Sequence, residues 1–346
     1  MMNKKILLTG GAGFIGHHFV DYILKNTSYD IVTIDRLDYS GNLNRLHEVT
    51  NQLNRTELRR VKTIFHDLKA PLNSQISKSI GDNISYIVHM AAGSHVDRSI
   101  ENPLEFVMDN VVGTVNILDY ARTCKNLERF IYFSTDEIFG PAPEGIKYKE
   151  NDRYNSTNPY SASKAGGEEL VVAYENTYGL PCYITHTMNV FGERQHPEKF
   201  IPMCISKIQN NKEVTIHSNP EKTKAGSRHY IHAKDVADAV WFLMNYDSSK
   251  LVSDDFGGAK CHKFNIVGSE EIDNLALAQI IANSQNKELK YEMVDFHTAR
   301  PGHDLRYALD GTKMEQMGWK PSSVKNRLEE VVNWTINNDR WLFNKI

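Results

Sequence analysis

The stretch "LLTGGAGFIGHHFVDYIL", residues 7–24, joins a short apolar run to an amphipathic segment through a glycine-rich turn. Glycine permits a sharp backbone turn and a close approach to a phosphate, and the N-terminus of the following helix adds N–H donors and a positive dipole end. The stretch therefore predicts a strand, a phosphate-binding turn and a helix, as in dinucleotide-binding proteins. We expect these residues of the turn to hold the cofactor: Gly10, Gly13, Phe14, Ile15 and Gly16.

Acidic residues follow the next two predicted strands. Asp35 ends "DIVTID", and Asp67 comes directly after "RVKTIFH". An acid at the position of Asp35 hydrogen-bonds a ribose diol and repels a 2′-phosphate, whereas the neighbouring Arg36 would accommodate that phosphate. We expect Asp67 to meet the adenine amino group. The pattern favours NAD over NADP as the cofactor, although Arg36 favours NADP.

Short β-rich runs alternate with helical patterns through the first half of the chain. Further runs, "ISYIVHM" and "ERFIYFS", are separated by a long amphipathic segment, Pro103–Cys124. Near-continuous apolar strands that alternate with helices indicate a parallel sheet covered on both faces. The predicted fold class is therefore α/β, a doubly wound parallel sheet of the Rossmann type.

The pattern becomes irregular after about residue 190. Short predicted strands, "VTIH", "KFNIVG" and "LKYEMV", alternate there with helical patterns. We predict an NAD-binding domain with the catalytic residues over 1–190, and a smaller lobe over 191–346 that mainly binds substrate, with segments free to return to the sheet. The helices predicted in this lobe are Ala233–Asn245, Ile272–Asn283 and Val324–Asn337.

Composition excludes several classes of protein. Lys and Arg total 40 against 43 Asp and Glu among 346 residues, which predicts no general affinity for nucleic acid or membranes. The apolar run at the N-terminus is too short for a signal peptide, and no later run approaches a membrane span. Four widely spaced cysteines indicate reduced thiols and a cytoplasmic location. The pairs His17/His18 and His229/His232 lack a completing cluster of ligands, so we predict no metal.

A tyrosine and a lysine stand four residues apart in "NPYSASKAGGEEL". Tyr160 and Lys164 would share one face at the start of a helix, because residues i and i+4 are neighbours there. A nearby cation favours the phenolate and would lower the pKa of Tyr160 towards that of a general base. Both residues are also predicted to contact the cofactor.

Two adjacent carboxylates stand at the end of a predicted buried strand in "FSTDEIFG". Asp136 and Glu137 follow Thr135. Burial of two acids costs free energy, so their presence at this place indicates a role in catalysis. Crowding and burial push the pKa values of such a pair apart, so that one serves as an acid and the other as a base. The alternative interpretation is a surface turn after a strand, where Asp is common.

The sequence resembles the extended short-chain dehydrogenase/reductase superfamily, and within it the nucleotide-sugar 4,6-dehydratases that act on dTDP-glucose or UDP-glucose. The resemblance rests on "TGGAGFIG", "HVDRSI", "STDEIFG", "YSASK", "NVFGERQHPEKFIP" and "RPGHDLRYALD". It implies that Tyr160, with Lys164 and Thr135, removes the C4 hydroxyl proton while hydride passes from C4 to NAD. Glu137 then takes the C5 proton, protonated Asp136 assists loss of the C6 hydroxyl, and hydride returns to C6.

The resemblance also implies contacts with the nucleotide sugar, and use of the 4-keto-6-deoxy product in rhamnose or amino-deoxysugar synthesis. Gly93 departs from the larger polar residue that is frequent in the family at its position, and the segment before Arg228 is longer and more basic than usual. A homodimer through two long helices, Pro103–Cys124 and Ser161–Tyr178, is implied as well. The implied substrate contacts are Ser94, Asn189, Lys199, Arg228, Asn265, Arg300, His303 and Tyr307.

Alternatives remain open. A nucleotide-sugar 4-epimerase also oxidises C4 with a tyrosine and NAD, but it needs no acid and base at C6 and C5. A non-catalytic NAD-binding regulatory protein could keep the same fold. No motif separates uracil from thymine, which differ by one methyl group.

Residues 141–159 are rich in Pro, Gly and Asn and predict a surface loop, which we hypothesise orders on substrate binding.

Overall fold

A seven-stranded parallel sheet forms the centre of the molecule, in the order β3-β2-β1-β4-β5-β6-β11. The computed structural model describes residues 3–251, 261–296 and 305–342. The order reverses at β1, which lies between β4 and β2, so a crevice opens beyond the carboxyl ends of these strands. The strands of this sheet are β1 Lys5–Thr9, β2 Asp30–Asp35, β3 Val61–Phe65, β4 Ile84–His89, β5 Arg129–Thr135, β6 Cys182–Thr187 and β11 His262–Ile266.

Helices cover both faces of this sheet. Side chains alternate along β1: Ile6 and Leu8 are buried on the face shared with Phe19, whereas Leu7 is buried on the opposite face. The doubly wound α/β fold predicted from the alternating pattern is confirmed. The helices of the first half are α1 Phe14–Asn26, α2 Leu43–Thr50, α3 Arg55–Leu58, α4 Ser74–Ile80, α5 Val96–Glu101, α6 Pro103–Val107, α7 Gly113–Ala121 and α8 Pro159–Tyr178.

The long predicted helix between β4 and β5 is interrupted. Between α6 and α7, residues Met108–Val112 adopt a π-helical turn, and α7 ends at Ala121, short of the predicted Cys124. A π turn adds one residue to the helical repeat and changes which side chains face the sheet. The turn places Asn110 in the interior, where it is 1% exposed.

The second half builds a smaller lobe around its own apolar core, and two of its elements return to the main sheet. Strand β11 pairs with β6, and helix α10 packs against α1. The remaining elements are β7 Val190–Phe191, β8 Val214–Ser218, β9 Ser227–His229, β10 Ile231–His232, β12 Glu271–Asp273, β13 Tyr291–Asp295, α9 Phe200–Gln209, α10 Ala233–Asn245, α11 Asn274–Ser284, α12 Thr312–Gln316 and α13 Val324–Asn337.

Helix α11 begins two residues later than the sequence predicted. Ile272 lies in β12, which pairs with β9, and Asp273 caps the helix by accepting from the backbone N–H groups of Leu275 and Ala276. The cap and the strand pairing together set the boundary, because Asp is a strong N-cap residue. Across the described ranges, the structure contains no helix that is long and apolar enough to cross a membrane.

Candidate active site

A cavity of about 400 Å³ opens at the carboxyl ends of β1, β4 and β5 and extends to the second lobe. Its lining brings together most of the residues that the sequence singled out, from the glycine-rich turn to the tyrosine helix. The predicted residues on its wall are Gly10, Gly13, Phe14, Ile15, Gly16, Asp35, Asp67, Ser94, Thr135, Asp136, Glu137, Tyr160, Lys164, Asn189 and Lys199.

The glycine-rich turn is shaped as a phosphate cradle. Gly10 has a positive φ of 77°, and a Cβ on Gly16 would lie 2.1 Å from the Gly10 carbonyl oxygen. Gly13 occupies the N-cap of α1 without a side-chain cap, so the first N–H groups of this 13-residue helix are left for a ligand. These residues fit the pyrophosphate of a dinucleotide.

Asp35 is fixed at the end of β2, on the cavity wall. Its two carboxylate oxygens accept from the backbone N–H groups of Ala12, at 3.0 Å, and Leu37, at 2.9 Å. Arg36 is engaged elsewhere, since its guanidinium donates to Asp109 at 2.8 Å and to Asp38 at 2.8 Å. An arginine held by two carboxylates is poorly placed to receive a 2′-phosphate, so the site favours a ribose diol.

The carboxylate pair is held by the end of β5. Thr135 caps the 3₁₀ turn Asp136–Phe139: its hydroxyl accepts from the Glu137 N–H and donates to Asp136 Oδ1 at 3.1 Å. Asp136 is 5% exposed, and its Oδ2 has no hydrogen-bond partner among the described residues. Burial, with the neighbouring Glu137 charge, raises the pKa of Asp136 to about 7. Asp136 is thus suited to carry a proton near neutral pH.

Tyr160 and Lys164 lie one turn apart at the start of α8, as predicted, but their electrostatics differ from the prediction. Burial and the charges of Glu137 and Asp136 raise the pKa of Tyr160, where we expected the lysine to lower it. Burial lowers the pKa of Lys164 to about 7, and its Nζ lies 4.1 Å from the ring centroid of Tyr132. The expected lowering is wrong for the free protein, because desolvation and the two neighbouring carboxylates raise the pKa of this phenol.

Asn110, which the sequence analysis missed, supports the site from the π turn. Its amide oxygen accepts from Gly93 N at 2.8 Å, and its nitrogen donates to Gly93 O at 3.0 Å and to Ser163 Oγ at 2.8 Å. Asn110 thereby joins the segment after β4, which carries Ser94, to the helix of Tyr160. The only signal in the sequence was an asparagine inside an apolar helical pattern.

Four predicted substrate residues lie off the cavity wall or outside the described residues. Arg228, on β9, is absent from the cavity wall, but its charge acts on Asp136, and its guanidinium carbon lies 4.7 Å from the ring centroid of Tyr307. Tyr307 is 4% exposed and packs in an apolar cluster behind that arginine. Arg300 and His303 lie outside the described residues.

The structure places Asn265 away from the cavity wall, and its contact with the nucleotide sugar stays a prediction. It is fully buried in β11, and its amide nitrogen donates to the carbonyl oxygens of Tyr148 and Asp310, both at 3.0 Å. Its amide oxygen lies 2.9 Å from His186 Nδ1. The structure therefore occupies Asn265 in joining the loop before α8 to the sheet and does not bring it to the cavity.

Two of the four histidines considered for metal binding, His18 and His232, lie beside Glu193. His232 Nε2 lies 3.2 Å from Glu193 Oε2, and the side chain of His18 packs beside them. Burial lowers the pKa of His18 to about 3. Within the described ranges, no group of three or more His, Cys, Asp or Glu is arranged to hold a metal ion.

A bridge of side chains, which we call the strap, crosses the cavity between the two lobes. The Tyr39 hydroxyl, after β2, donates to Glu198 in the second lobe. The Arg98 guanidinium lies 3.3 Å from the centroid of the Tyr39 ring, and the His196 ring centroid lies 4.8 Å from it. His95 completes the strap, since its Nε2 lies 3.9 Å from Glu198 Oε2, and Tyr39, His95 and His196 also line the cavity.

The loop of residues 141–158 packs on the second lobe. Arg306 Nη1 donates to the carbonyl oxygens of Pro143 and Ile146, and Asn155 N donates to Ile138 O at 2.8 Å. The tip of the loop, at Glu144 and Gly145, is exposed. That the loop orders on substrate binding stays a prediction.

The chain was compared with known proteins. It matches the family model described as GDP-mannose 4,6 dehydratase over residues 7–333. It is 33% identical to a dTDP-glucose 4,6-dehydratase of Escherichia coli, over 97% of this chain and 95% of that protein. It is 35% identical to the low-salt glycan biosynthesis protein Agl12 of Haloferax volcanii, over 96% of this chain and 99% of that protein.

A solved structure of similar shape is the dTDP-glucose 4,6-dehydratase DesIV of Streptomyces venezuelae, crystallised with NAD. Its TM-score is 0.83 at 30% identity, and the match covers 98% of this chain and 99% of that chain. A match over 98% of this chain extends beyond the nucleotide-binding half into the second lobe.

Proposed function

Because this chain belongs to the nucleotide-sugar 4,6-dehydratase family, with NAD as its cofactor, we propose that it converts dTDP-glucose, UDP-glucose or both to the 4-keto-6-deoxyglucose nucleotide and water. The observation that carries the proposal is the pair of adjacent carboxyls beside Tyr160. Asp136 has a pKa of about 7 and an unpartnered oxygen, whereas Glu137 accepts a hydrogen bond from Asn158. An acid and a base at neighbouring carbons are what elimination of water requires.

Bound NAD supplies the chemistry of taking hydride from C4 of the hexose and giving hydride back at C6. Tyr160 takes the proton of the C4 hydroxyl, assisted by Thr135 and Lys164. The raised pKa of the phenol falls when Asp136 is protonated, because one of the two negative charges facing it is then neutral. The carboxyl pair is therefore set for the oxidation step as well as for the elimination.

The C4 ketone makes the C5 hydrogen acidic, and Glu137 takes that proton. Asp136 gives its proton to the departing C6 hydroxyl, which leaves as water. Burial of Asp136 keeps that proton in place near neutral pH.

The nucleotide sugar is proposed to lie across the opening towards the second lobe. Ser94 would contact the hexose, and Asn189 and Lys199 would contact the hexose and diphosphate. Arg228 would grip phosphate oxygens, since a guanidinium offers two parallel donors. Tyr307 supports Arg228 through the stacked ring. Arg300 and His303 are proposed as further contacts on the nucleotide.

A two-substrate assay tests the proposal. The purified protein is incubated with dTDP-glucose and UDP-glucose separately, with a GlcNAc nucleotide and GDP-mannose for comparison, and products are identified by mass and NMR. We expect loss of water and a 4-keto-6-deoxy sugar from dTDP-glucose or UDP-glucose. A 4-epimer of unchanged mass would contradict the dehydratase and support an epimerase. No turnover of any of them despite bound NAD would support a regulatory protein.

We also propose that two copies of the chain pair through the α6–α7 segment and α8. The apolar side chains of Leu104 and Val107 in α6 are exposed on this surface, with Leu104 72% exposed, and Ile100 in the preceding helix α5 is exposed as well. Sedimentation velocity is the measurement: Leu104→Glu should yield monomers, while Leu58→Glu, at another exposed leucine, should leave a dimer. Monomeric wild-type protein would contradict the pairing.

We further propose that the reaction takes place in the cytoplasm, in the synthesis of rhamnose or an amino-deoxysugar. The four cysteines are all free thiols, which suits a reducing compartment. Deletion of the gene followed by analysis of the cell's deoxysugars would test the pathway, and unchanged deoxysugar content would contradict it.

A further inference from the structure

Asn158 joins two parts of the active site through the two ends of one amide. It is the N-cap of α8, where its Oδ1 accepts from the Ser161 N–H at 2.8 Å. Its Nδ2 donates to Glu137 Oε2 at 3.1 Å, across 21 residues of chain. Asn158 is 6% exposed; its bond to Ser161 is buried, and its bond to Glu137 is partly buried at the cavity wall.

The helix cap fixes which end of the amide faces Glu137. A backbone N–H can only donate, so the amide oxygen must face Ser161 and the nitrogen must face the carboxylate. Pro159 helps to hold this arrangement, because a residue before proline is kept extended, as Asn158 is with φ −146° and ψ 163°. Glu137 therefore meets a donor that cannot turn away without loss of the cap.

The donor makes the two neighbouring carboxyls unlike each other. An amide N–H bonded to a carboxylate favours the ionised form, which is the form that a base needs. Asp136, one residue earlier, has an oxygen without a partner among the described residues. Removal of the amide would therefore make Glu137 more like Asp136.

We propose that Asn158 is a positioning residue that holds Glu137 ionised and in register with Tyr160 for removal of the C5 proton. The inference rests on the proposed function. Tyr160 and Glu137 act on adjacent carbons, and Tyr160 lies two residues after Asn158 on the same helix start. One side chain thus sets the distance between the two bases, and a displacement of about 1 Å in such a site costs on the order of a hundredfold in rate.

Substitutions at position 158 separate the cap from the contact with Glu137. Asn158→Ser keeps a good N-cap but removes the amide donor. We expect kcat to fall about 10- to 100-fold, which is the loss of one hydrogen bond to a charged group, with KM little changed. In Asn158→Ser, the acid limb of the kcat–pH profile should move to higher pH. Asn158→Asp also caps well but places a like charge against Glu137, so both effects should be larger.

Controls distinguish positioning from folding. Asn73→Ser makes the same change at another helix cap, Asn73 of α4, and should leave kcat and the pH profile unchanged. Carbon-detected NMR of the Glu137 carboxyl provides a measurement that needs no turnover: its titration midpoint should move to higher pH in Asn158→Ser than in wild type. The assay of the wild-type protein tests the proposed function separately. The inference about Asn158 is tested by the ratio of kcat in the variant to kcat in the wild type, and by the titration of Glu137.

Two outcomes would overturn the inference. One is an unchanged Glu137 titration in Asn158→Ser. The other concerns Asn158→Ser, Asn158→Asp and Asn158→Ala together: their activity falls in proportion to their melting temperature, and the pH profile of kcat in all three is that of the wild type. Asn158 would then be a helix cap alone.

Discussion

Burial of the Asp136 carboxyl lowers the stability of the protein at high pH, and the same burial gives this carboxyl the raised pKa that the proposed reaction needs. Its pKa is raised from 3.8 to about 7 by burial and by Glu137, so the folded state keeps a proton that the unfolded state releases above pH 4. A raised pKa of this kind leaves stability intact below the unfolded value and removes stability as pH rises through the folded value. At about 1.36 kcal/mol per pKa unit, the loss above pH 7 is at most about 4 kcal/mol.

Asp136→Asn should therefore stabilise the protein at high pH while it removes activity. We expect the difference in free energy of unfolding between variant and wild type to grow between pH 5 and pH 8, because the amide carries no charge to bury. The kcat should fall about 100-fold or more through loss of the proton donor. Denaturant unfolding at both pH values measures the first effect. Parallel pH dependence in the two proteins would contradict the assigned burial of charge.

For Tyr160, the sequence predicted the position of the side chain correctly but predicted the wrong direction for the shift of its pKa. Its position beside Lys164 followed from helical spacing, which is a local property. Its pKa depends on which charges the fold brings near, and the fold brings Glu137 and Asp136. No spacing rule in the chain contains that information.

At the scale of elements, α8 packs closely because of a glycine. A Cβ on Gly167 would lie 2.4 Å from Tyr132 Oη and 2.6 Å from the Asn110 carbonyl oxygen. Tyr132 in turn donates to the Lys164 carbonyl at 3.1 Å, so this contact supports the helix that carries Tyr160 and Lys164. At the adjacent Gly166, the nearest atom to a Cβ is Val111 Cγ2 at 3.3 Å, part of a side chain that can move.

Gly167→Ala and Gly166→Ala form a matched pair. We expect Gly167→Ala to lower the free energy of unfolding by about 1–3 kcal/mol, because a backbone oxygen must shift to make room. Gly166→Ala should change it by less than about 1 kcal/mol, since alanine's better helix propensity offsets mild crowding. Urea unfolding measures both. Equal stability of the two variants would show that α8 does not approach the π turn as described.

Helix ends were predicted well where the signals are local. Ala233–Asn245 and Val324–Asn337 agree with the structure, since apolar periodicity marks both helices in the sequence. The segment Pro103–Cys124 was predicted as one helix and contains a π turn. Such a turn is stabilised by packing against other elements, so the sequence pattern alone did not reveal it.

At the scale of the whole molecule, the strap connects the two lobes over the cofactor cavity. Tyr39 and Glu198 are 159 residues apart in the chain and form its central hydrogen bond. A ligand beneath the strap must break that bond to leave. We therefore expect the strap to slow the release of NAD between turnovers, which would suit a cofactor that ends each cycle unchanged.

Tyr39→Phe should speed the release of NAD by about tenfold, as expected for loss of one hydrogen bond to a carboxylate. The fraction of NAD that remains after successive buffer exchanges measures retention. Tyr174→Phe is the matched control, because Tyr174 donates to Asp119 at 3.0 Å at the surface away from the cavity. Identical retention in both variants would contradict a role for the strap.

The sequence by itself determined the glycine turn, the strand and helix alternation, and the positions of the proposed catalytic residues at strand and helix ends, because these are set by neighbours within a few residues. Tertiary structure alone decided that β11 joins the main sheet, that Asn265 is committed to β11 and its surroundings, and that Asn158 reaches Glu137. Each of these depends on contacts between segments distant in the chain. Burial then sets the charges, since desolvation is defined only once the chain has folded.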